Sequence, residues 1–400
     1  MINRNVIIIG QQPWDTEIGS NCKNIALELS KNNTVLYVNS PLDRITRYKN
    51  HNNLKVKKRL RVIEGKEKGL VLIKENLWNL YPDCMVESIN WIANPSIFNY
   101  LNKRNNIKFS NSIKKALEEL GFKDFLLFND NELFKGFYLK ELLVPSLSIY
   151  YSRDYILAVD YWRKHGKRLE PLIMAQNDLC LANSLYLTDY CKAYNDNSYY
   201  VGQGCDIEMF KEANVNDKPK ELRNIKTPIV GYVGALNSIR LDIPLIHYIA
   251  NERKDLTFVL VGPEDDDFAA SNLHHLDNVV FTGIKKPEEL PLYVSFFDVC
   301  INPQLVNMVT IGNYPRKVDE YLAMGKPIVA TQTRAMEIFS SYVYLADDKE
   351  NFALLIQKAL EENTEELQVG RRAFAASHSW ENCTNEIYKA IFKSLKTKES

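Results

Sequence analysis

Short unbroken apolar runs alternate along the chain with amphipathic stretches. Residues 6–10 read "VIIIG", the kind of run carried by a strand buried on both faces. After a polar loop, Cys22, Ile25, Ala26 and Leu29 fall at i, i+3, i+4 and i+7, the stripe of an amphipathic helix. Residues 34–39, "TVLYVN", then predict a second strand. Strand, helix and strand in so short a span predict a right-handed parallel crossover.

The second half repeats the pattern more densely. Residues 227–234, "TPIVGYVG", predict a strand entering a glycine-bearing loop. Residues 241–252 predict a helix with Asp242 as N-cap and Pro244 in the first turn. "TFVLVG", "NVVFTG" and "DVCINP" are three further strands, each closed by Gly or Pro. "KPEELPLYVSFF" reads as helical, and "PRKVDEYLAMGKPIVAT" as a helix starting at Pro315, stopped by Gly325 and Pro327 and followed by a strand. Together these predict an α/β protein whose pattern restarts near Thr227. The polar, aperiodic residues 214–226 are the expected linker.

A length of 400 residues predicts two to three domains. With 46% hydrophobic and 25% charged residues, disorder is excluded, and 16 Gly with 15 Pro exclude a collagen-like or low-complexity chain. Fifty basic residues balance 50 acidic ones, which speaks against a nucleic-acid binder. No apolar run reaches the ~18 to 20 residues of a membrane span, and the N-terminus does not read as a secretory signal. Seven scattered cysteines without a C-x-x-C pair predict a reducing cytoplasm and no disulfide framework. Six histidines without metal-ligand spacing predict no dedicated metal site.

Overall neutrality hides a basic block at residues 44–68, where ten Lys and Arg residues face only Glu64 and Glu67. Leu54, Val56, Leu60 and Val62 interleave with those charges. The block predicts either an anionic membrane surface or lipid-linked acceptor as partner, or an exposed solubilising loop.

Candidate chemistry lies in four places. The loop after the first strand, "GQQPWDTEIGS", lacks a G-x-G-x-x-G pattern, and the second strand ends in Asn39 rather than an acid, which disfavours a nicotinamide or flavin site. Trp14 and Asp15 are expected at a strand's carboxyl end, either in a ligand loop or as a buried Trp with an N-capping Asp. In "GYVGALNSIR", Gly234 permits close approach of a ligand and Arg240 offers charge to an anion; a plain tight turn is the alternative. Lys317, in the first turn of its predicted helix, is unfavourable for the helix dipole unless an anion sits there, and Glu320 shares its face; a solvated charged face is the alternative. Asp265, Asp266 and Asp267 have the acid-x-acid spacing of a metal site but read better as a capped helix start.

In the order "GYVGAL", "FVLVGP", "NVVFTG", "LPLYVSFFDVCINP" and "PRKVDEYLAMGKPIVAT", with Glu337 downstream, the second half resembles the nucleotide-binding domain of GT-B fold glycosyltransferases of the family 4 type used in bacterial surface polysaccharide synthesis. "RLEPLIMAQNDLCLANSLYLTDYC", "YYVGQGCDIEMF" and "HSWENC" fit the same family's interdomain join and terminal helix. The resemblance implies two Rossmann-like domains: an acceptor-side domain at 1–205, a linker at 206–226, a nucleotide-sugar domain at 227–378, and a helix at 379–400 crossing back to the first. It implies a metal-independent cytoplasmic transferase, peripheral at the inner membrane face, with a nucleoside-diphosphate-sugar donor, no cofactor and a glycan or lipid-linked acceptor.

The expected donor residues are Gly234, Arg240, Ile284, Gly312, Asn313, Lys317 and Glu320. Where the family often has a further glutamate, this chain has Gly312, so the donor-sugar contact is expected from backbone near residues 311–313. The family's frequent first-domain histidine is not evident, which leaves Asp15 and Asp154 as candidate catalytic carboxylates. A nucleotide-sugar epimerase of this fold and a non-catalytic nucleotide-sugar-binding subunit are the alternatives.

Overall fold

In the computed structural model, which describes residues 3–17, 19–211 and 218–399, the chain divides into two compact units. One comprises the chain up to Gly202 together with the residues from Cys383 on; the other is Gln203–Asn382. The expected linker, 206–226, belongs wholly to the second unit by this division. Residues 212–217 lie outside the described residues, and Ile207, Phe210 and Leu222 are buried in the second unit's core.

The first unit is built on ten strands: β1 (Asn5–Gly10), β2 (Thr34–Asn39), β3 (Leu42–Asp43), β4 (Leu70–Lys74), β5 (Leu77–Leu80), β6 (Met85–Val86), β7 (Phe125–Asp130), β8 (Leu147–Ser152), β9 (Leu179–Ala182) and β10 (Ser198–Tyr200). Eight form one sheet in the order β10-β9-β8-β7-β1-β2-β5-β4, and β3 pairs with β6 apart from it. Only the β4–β5 edge of the large sheet is antiparallel. Ile7 lies opposite both Leu36 and Leu127, so the "VIIIG" run is central and covered on both faces, as its unbroken apolarity requires. Chain order reverses between β1 and β7, the place where open α/β sheets leave a crevice for ligands.

The predicted helical stripe of Cys22, Ile25, Ala26 and Leu29 is buried, and Ser20 caps its helix by accepting from Lys23 N. The longest helix, Pro95–Leu120, starts after an Asn94 cap with proline in its first turn and stops at Gly121, whose φ is +68°. The basic block is helical rather than an extended loop: Arg44–Lys49 and Leu54–Ile63 form two helices. Val56, Arg59 and Val62, three apart, share the buried face of the second helix, while Leu54 is exposed.

Six parallel strands make the second unit's sheet: β11 (Ile229–Val233), β12 (Thr257–Val261), β13 (Val279–Phe281), β14 (Val299–Asn302), β15 (Ile328–Thr331) and β16 (Tyr344–Ala346). Their order is β13-β12-β11-β14-β15-β16, the doubly wound arrangement, with its switch point between β11 and β14. Asp242 caps its helix as expected, accepting from Leu245 N at 2.9 Å. Asp265 likewise caps the short Asp266–Ala269 helix, and its other oxygen accepts from Ser238 N at 2.7 Å. Among the described residues no helix is long and apolar enough to cross a membrane.

Candidate active site

At the second unit's switch point, the loops leaving β11 and β14 are stitched together. Leu305 N donates to Arg240 O, Asp242 N to Pro303 O, and Asn307 Nδ2 to Ile239 O. One level below, Tyr321 OH accepts from Val233 N at 2.8 Å, fixing the last residue of β11 to the Arg316–Ala323 helix. That helix has Pro315 at its N-cap position and no side-chain cap; Arg316 N and Val318 N donate instead to the backbone, to Tyr314 O at 3.1 Å and Pro315 O at 2.9 Å.

Lys317 stands in the first turn. Its Nζ donates to Tyr232 OH at 2.6 Å and lies 4.5 Å from the centroid of that ring. Gly234 leaves the room: a Cβ built there would be 2.8 Å from Lys317 Nζ, and its φ of +142° favours glycine. Gly262, at the end of β12, is packed closer still, since a Cβ there would stand 2.0 Å from Gly234 O. Sequence positions 234 and 317 thus meet at one spot, where an ammonium with a neutral partner adjoins a helix start that has no side-chain cap. An anion is the group that both would favour.

Glu320 is half-buried, and burial raises its carboxyl pKa despite the nearby charges of Arg316 and Lys317. Between these two residues lies one that the sequence reading passed over. Asp319 is fully buried and accepts from Tyr314 OH at 2.8 Å and Cys205 Sγ at 3.1 Å, with His378 Nδ1 at 2.6 Å. It ties the helix to residues 205 and 378, and its signal in sequence was only an acid on the inward side of an amphipathic helix. Asn302, at the end of β14, was also missed; its Nδ2 is buried with no partner among the described residues.

The remaining donor candidates are placed unequally. Arg240 is exposed in the β11 loop. Gly312 is buried, and Asn313 N closes a turn on Thr310 O at 3.0 Å. Both follow β14 beside the switch point. Ile284, 76% exposed, follows the edge strand β13, two strands away from β11.

In the first unit, Trp14 follows β1 and packs edge-on against Tyr37, with ring centroids 5.1 Å apart. Asp15 is held by Arg59 through two hydrogen bonds of 2.9 and 3.0 Å. Burial opposes ionisation of Asp15, but the hydrogen bonds and charge of Arg59 prevail and hold its pKa below the usual carboxylate value. A carboxylate so fixed is a poor proton acceptor, and Asp15 does not serve as the N-cap of a helix. Asp154 is exposed beyond β8 and pairs with Arg153 at 3.0 Å. Arg153 also binds Asp130 and Gln11, at 2.8 and 2.9 Å.

A cavity of about 750 Å³ opens in the same unit, lined by side chains from six separated segments, at Gln11 and around residues 40–46, 86–91, 102–105, 132–135 and 161–164. Nothing in the linear sequence joins those segments. Asn105, on the long helix, fixes one wall by donating to Glu87 O and accepting from Glu87 N, both at 2.9 Å.

Two doubly wound sheet units, the second with a glycine corner beside a lysine-bearing helix start at its switch point, fit the GT-B fold, and comparison with known proteins agrees. Residues 227–362 match the family model described as "Glycosyl transferases group 1". The protein is a glycosyltransferase, and the residues that match the family model all lie in the second unit. It is 28% identical over 277 residues to a teichuronic acid biosynthesis glycosyltransferase, TuaH, of Bacillus subtilis (strain 168), covering 62% of this chain and 68% of that one. Among solved structures, HepE of Anabaena in complex with UDP superimposes with a TM-score of 0.66 at 14% identity, covering 98% of this chain and 100% of that one. Sucrose-phosphate synthase of Thermosynechococcus elongatus gives 0.64 at 15% identity, covering 99% and 100%. At such identities the structural likeness speaks for the fold.

Proposed function

We propose that the protein transfers a sugar from a nucleoside-diphosphate-sugar to a glycan or lipid-linked acceptor in cell-surface polysaccharide synthesis. The observation that carries this reading is the Lys317 ammonium beneath Gly234, at a helix start without a side-chain cap. It is supported by relatives: HepE has been solved with UDP and with UDP-glucose, and TuaH is named for teichuronic acid biosynthesis. Lys317 and Arg240 neutralise the diphosphate, Glu320 accepts from ribose hydroxyls, backbone at Gly312 and Asn313 meets the donor sugar, and Ile284 borders the base.

In the reaction, the bond from the anomeric carbon to the diphosphate oxygen breaks through an oxocarbenium-like transition state. The acceptor oxygen bonds to that carbon, and the charge left on the diphosphate is stabilised by fixed donors. Asp154, the exposed carboxylate, takes the acceptor hydroxyl's proton; Asp15 acts as a fixed charge through Arg59. A thermal-shift screen with the diphosphates of uridine, guanosine, adenosine and cytidine tests the donor site. A ligand at 100 times its Kd adds about 2.7 kcal/mol, and four null results would refute the reading.

The enzyme works in the cytoplasm at the inner membrane face through residues 44–68, where Tyr48 and Leu54 are 84% and 81% exposed among the cations. Replacing Lys55, Lys57 and Lys58 by Gln should lower co-sedimentation with anionic liposomes; unchanged recovery would remove the membrane from the proposal.

A further inference from the structure

The first unit's cavity has walls suited to a sugar ring. Trp91 is 73% exposed and Tyr161 53% exposed, and both line it together with Trp162 and Phe134. Aromatic faces of this kind cover the apolar side of a pyranose, while side-chain amides and hydroxyls meet its edges.

Charge gives the cavity a preference. Its carboxylates are already engaged by the protein. Asp43 accepts from Thr46 N and Oγ1 at 3.0 and 2.7 Å, and from Ser88 Oγ at 2.6 Å. Glu87 is paired with Arg44 at 2.6 Å and with Lys108 at 3.6 Å. One oxygen of Glu132 accepts the backbone N–H groups of Phe134 and Lys135 at 3.2 and 3.1 Å.

The two lysines lining the cavity differ from these acids. Lys135 Nζ donates to Ser40 Oγ at 2.7 Å, and Lys164 Nζ to Trp91 O at 2.7 Å. Each therefore has a neutral partner, and neither makes a direct ion pair among the described residues. An ammonium has three donors, so both retain capacity for an anion. Lys135 is half-buried, where a charge-assisted hydrogen bond is worth more than in open water.

We infer that this cavity holds the acceptor and selects a saccharide bearing a carboxylate or a phosphate group, with its ring against Trp91 and Tyr161 and its anion at Lys135 and Lys164. The inference rests on the glycosyltransferase reading above and adds the chemical class of the acceptor. Calorimetric titration of the full chain with phenyl β-glucuronide and phenyl β-glucoside isolates the carboxylate, because the two differ only at the terminal carbon of the sugar. The glucoside phosphorylated at that carbon tests phosphate in the same position.

At least one of the anionic probes should bind about tenfold or more tightly than the neutral one, and whichever binds better identifies the anion. Lys135→Gln should reduce that preference to less than threefold while leaving glucoside and UDP affinities unchanged. Lys164→Gln, an exposed position, should reduce the preference in part and serves as the test should Lys135→Gln fail to fold. Equal affinities for all three probes, binding of none, or a preference that survives both substitutions would overturn the inference. UDP binding and transfer to neutral acceptors, measured on the same preparations, separate that failure from failure of the transferase reading: an enzyme that binds UDP and glycosylates neutral acceptors while showing no anion preference loses only this inference.

Discussion

The two switch points of this molecule share a topology and differ in how their charges are held. Beyond β11 and β14, Lys317 has a tyrosine hydroxyl for a partner, and its helix start lacks a side-chain cap. Beyond β1 and β7, Asp15 is closed on Arg59, while Asp130 and Asp154 share Arg153. A phosphate site gains when its cation has no competing carboxylate, since a bound anion then displaces no internal pair. A shaped acceptor crevice gains instead from charges that lock its own loops. Similar sheets thus support different tasks through their loop chemistry.

The largest test of this contrast concerns the exposed acid of the first unit. Asp154→Asn should lower turnover by about 100-fold or more, with UDP affinity unchanged in titration; near-normal turnover would leave the first crevice with structural carboxylates only. Removing a lock should act on stability instead. Arg59→Ala leaves Asp15 partly buried without its partner, and chemical denaturation should report a loss of about 3 kcal/mol. A change below 1 kcal/mol would show the Asp15–Arg59 pair to be dispensable.

A buried carboxyl beside the first crevice makes a third test. Tyr150 OH lies 3.1 Å from Asn131 Oδ1 and 3.2 Å from Glu170 Oε1, and Tyr190 OH lies 3.0 Å from Glu170 Oε2. Both hydroxyls donate to Glu170, and Tyr150 shares its single proton between Glu170 and Asn131. Burial raises the pKa of Glu170 from 4.5 to about 7, against the hydrogen bonds from Tyr190 and Tyr150.

The unfolded carboxyl ionises first as pH rises, so the contribution of Glu170 to stability is intact below 4.5 and declines up to about 7. That loss is roughly 3 kcal/mol at most. Glu170→Gln, which does not ionise, should flatten this part of the stability profile measured by urea denaturation between pH 4.5 and 7. An unchanged slope would assign the dependence to other groups. Smallest in the series, Lys317→Ala should weaken UDP binding by about 2 kcal/mol with the fold intact by circular dichroism; wild-type affinity would remove the anion site from the second switch point.

The second unit was the more legible because its site is local in sequence. Gly234 closes a strand, Lys317 opens a helix, and both positions follow from one doubly wound repeat. Strands β1 and β2 were equally plain, being unbroken apolar runs between polar loops. The first unit's site was hidden because its pairs are long-range: Asp15 and Arg59 are 44 positions apart. Arg59 also sits where a basic residue reads as solvent-facing. Its burial follows from the three-residue spacing of Val56, Arg59 and Val62 on a helix, whereas attention to every second residue drew Leu54 and Leu60 into the pattern. The cavity has no sequence signature at all, because its lining converges from six segments.

The second unit is one uninterrupted stretch of chain, whereas the first needs both ends. Ile387 and Ile391 are buried, Tyr388 OH accepts from Asn33 Nδ2 at 3.0 Å, and Ser394 Oγ accepts from Asn197 Nδ2 at 2.9 Å. On the ribosome, residues 1–202 emerge before the second unit, yet they receive the Trp380–Glu399 helix only after the whole second unit has been synthesised. The second unit can therefore complete its native contacts during translation, while the first must wait, with the surface around Asn33 and Asn197 uncovered, until that helix leaves the exit tunnel.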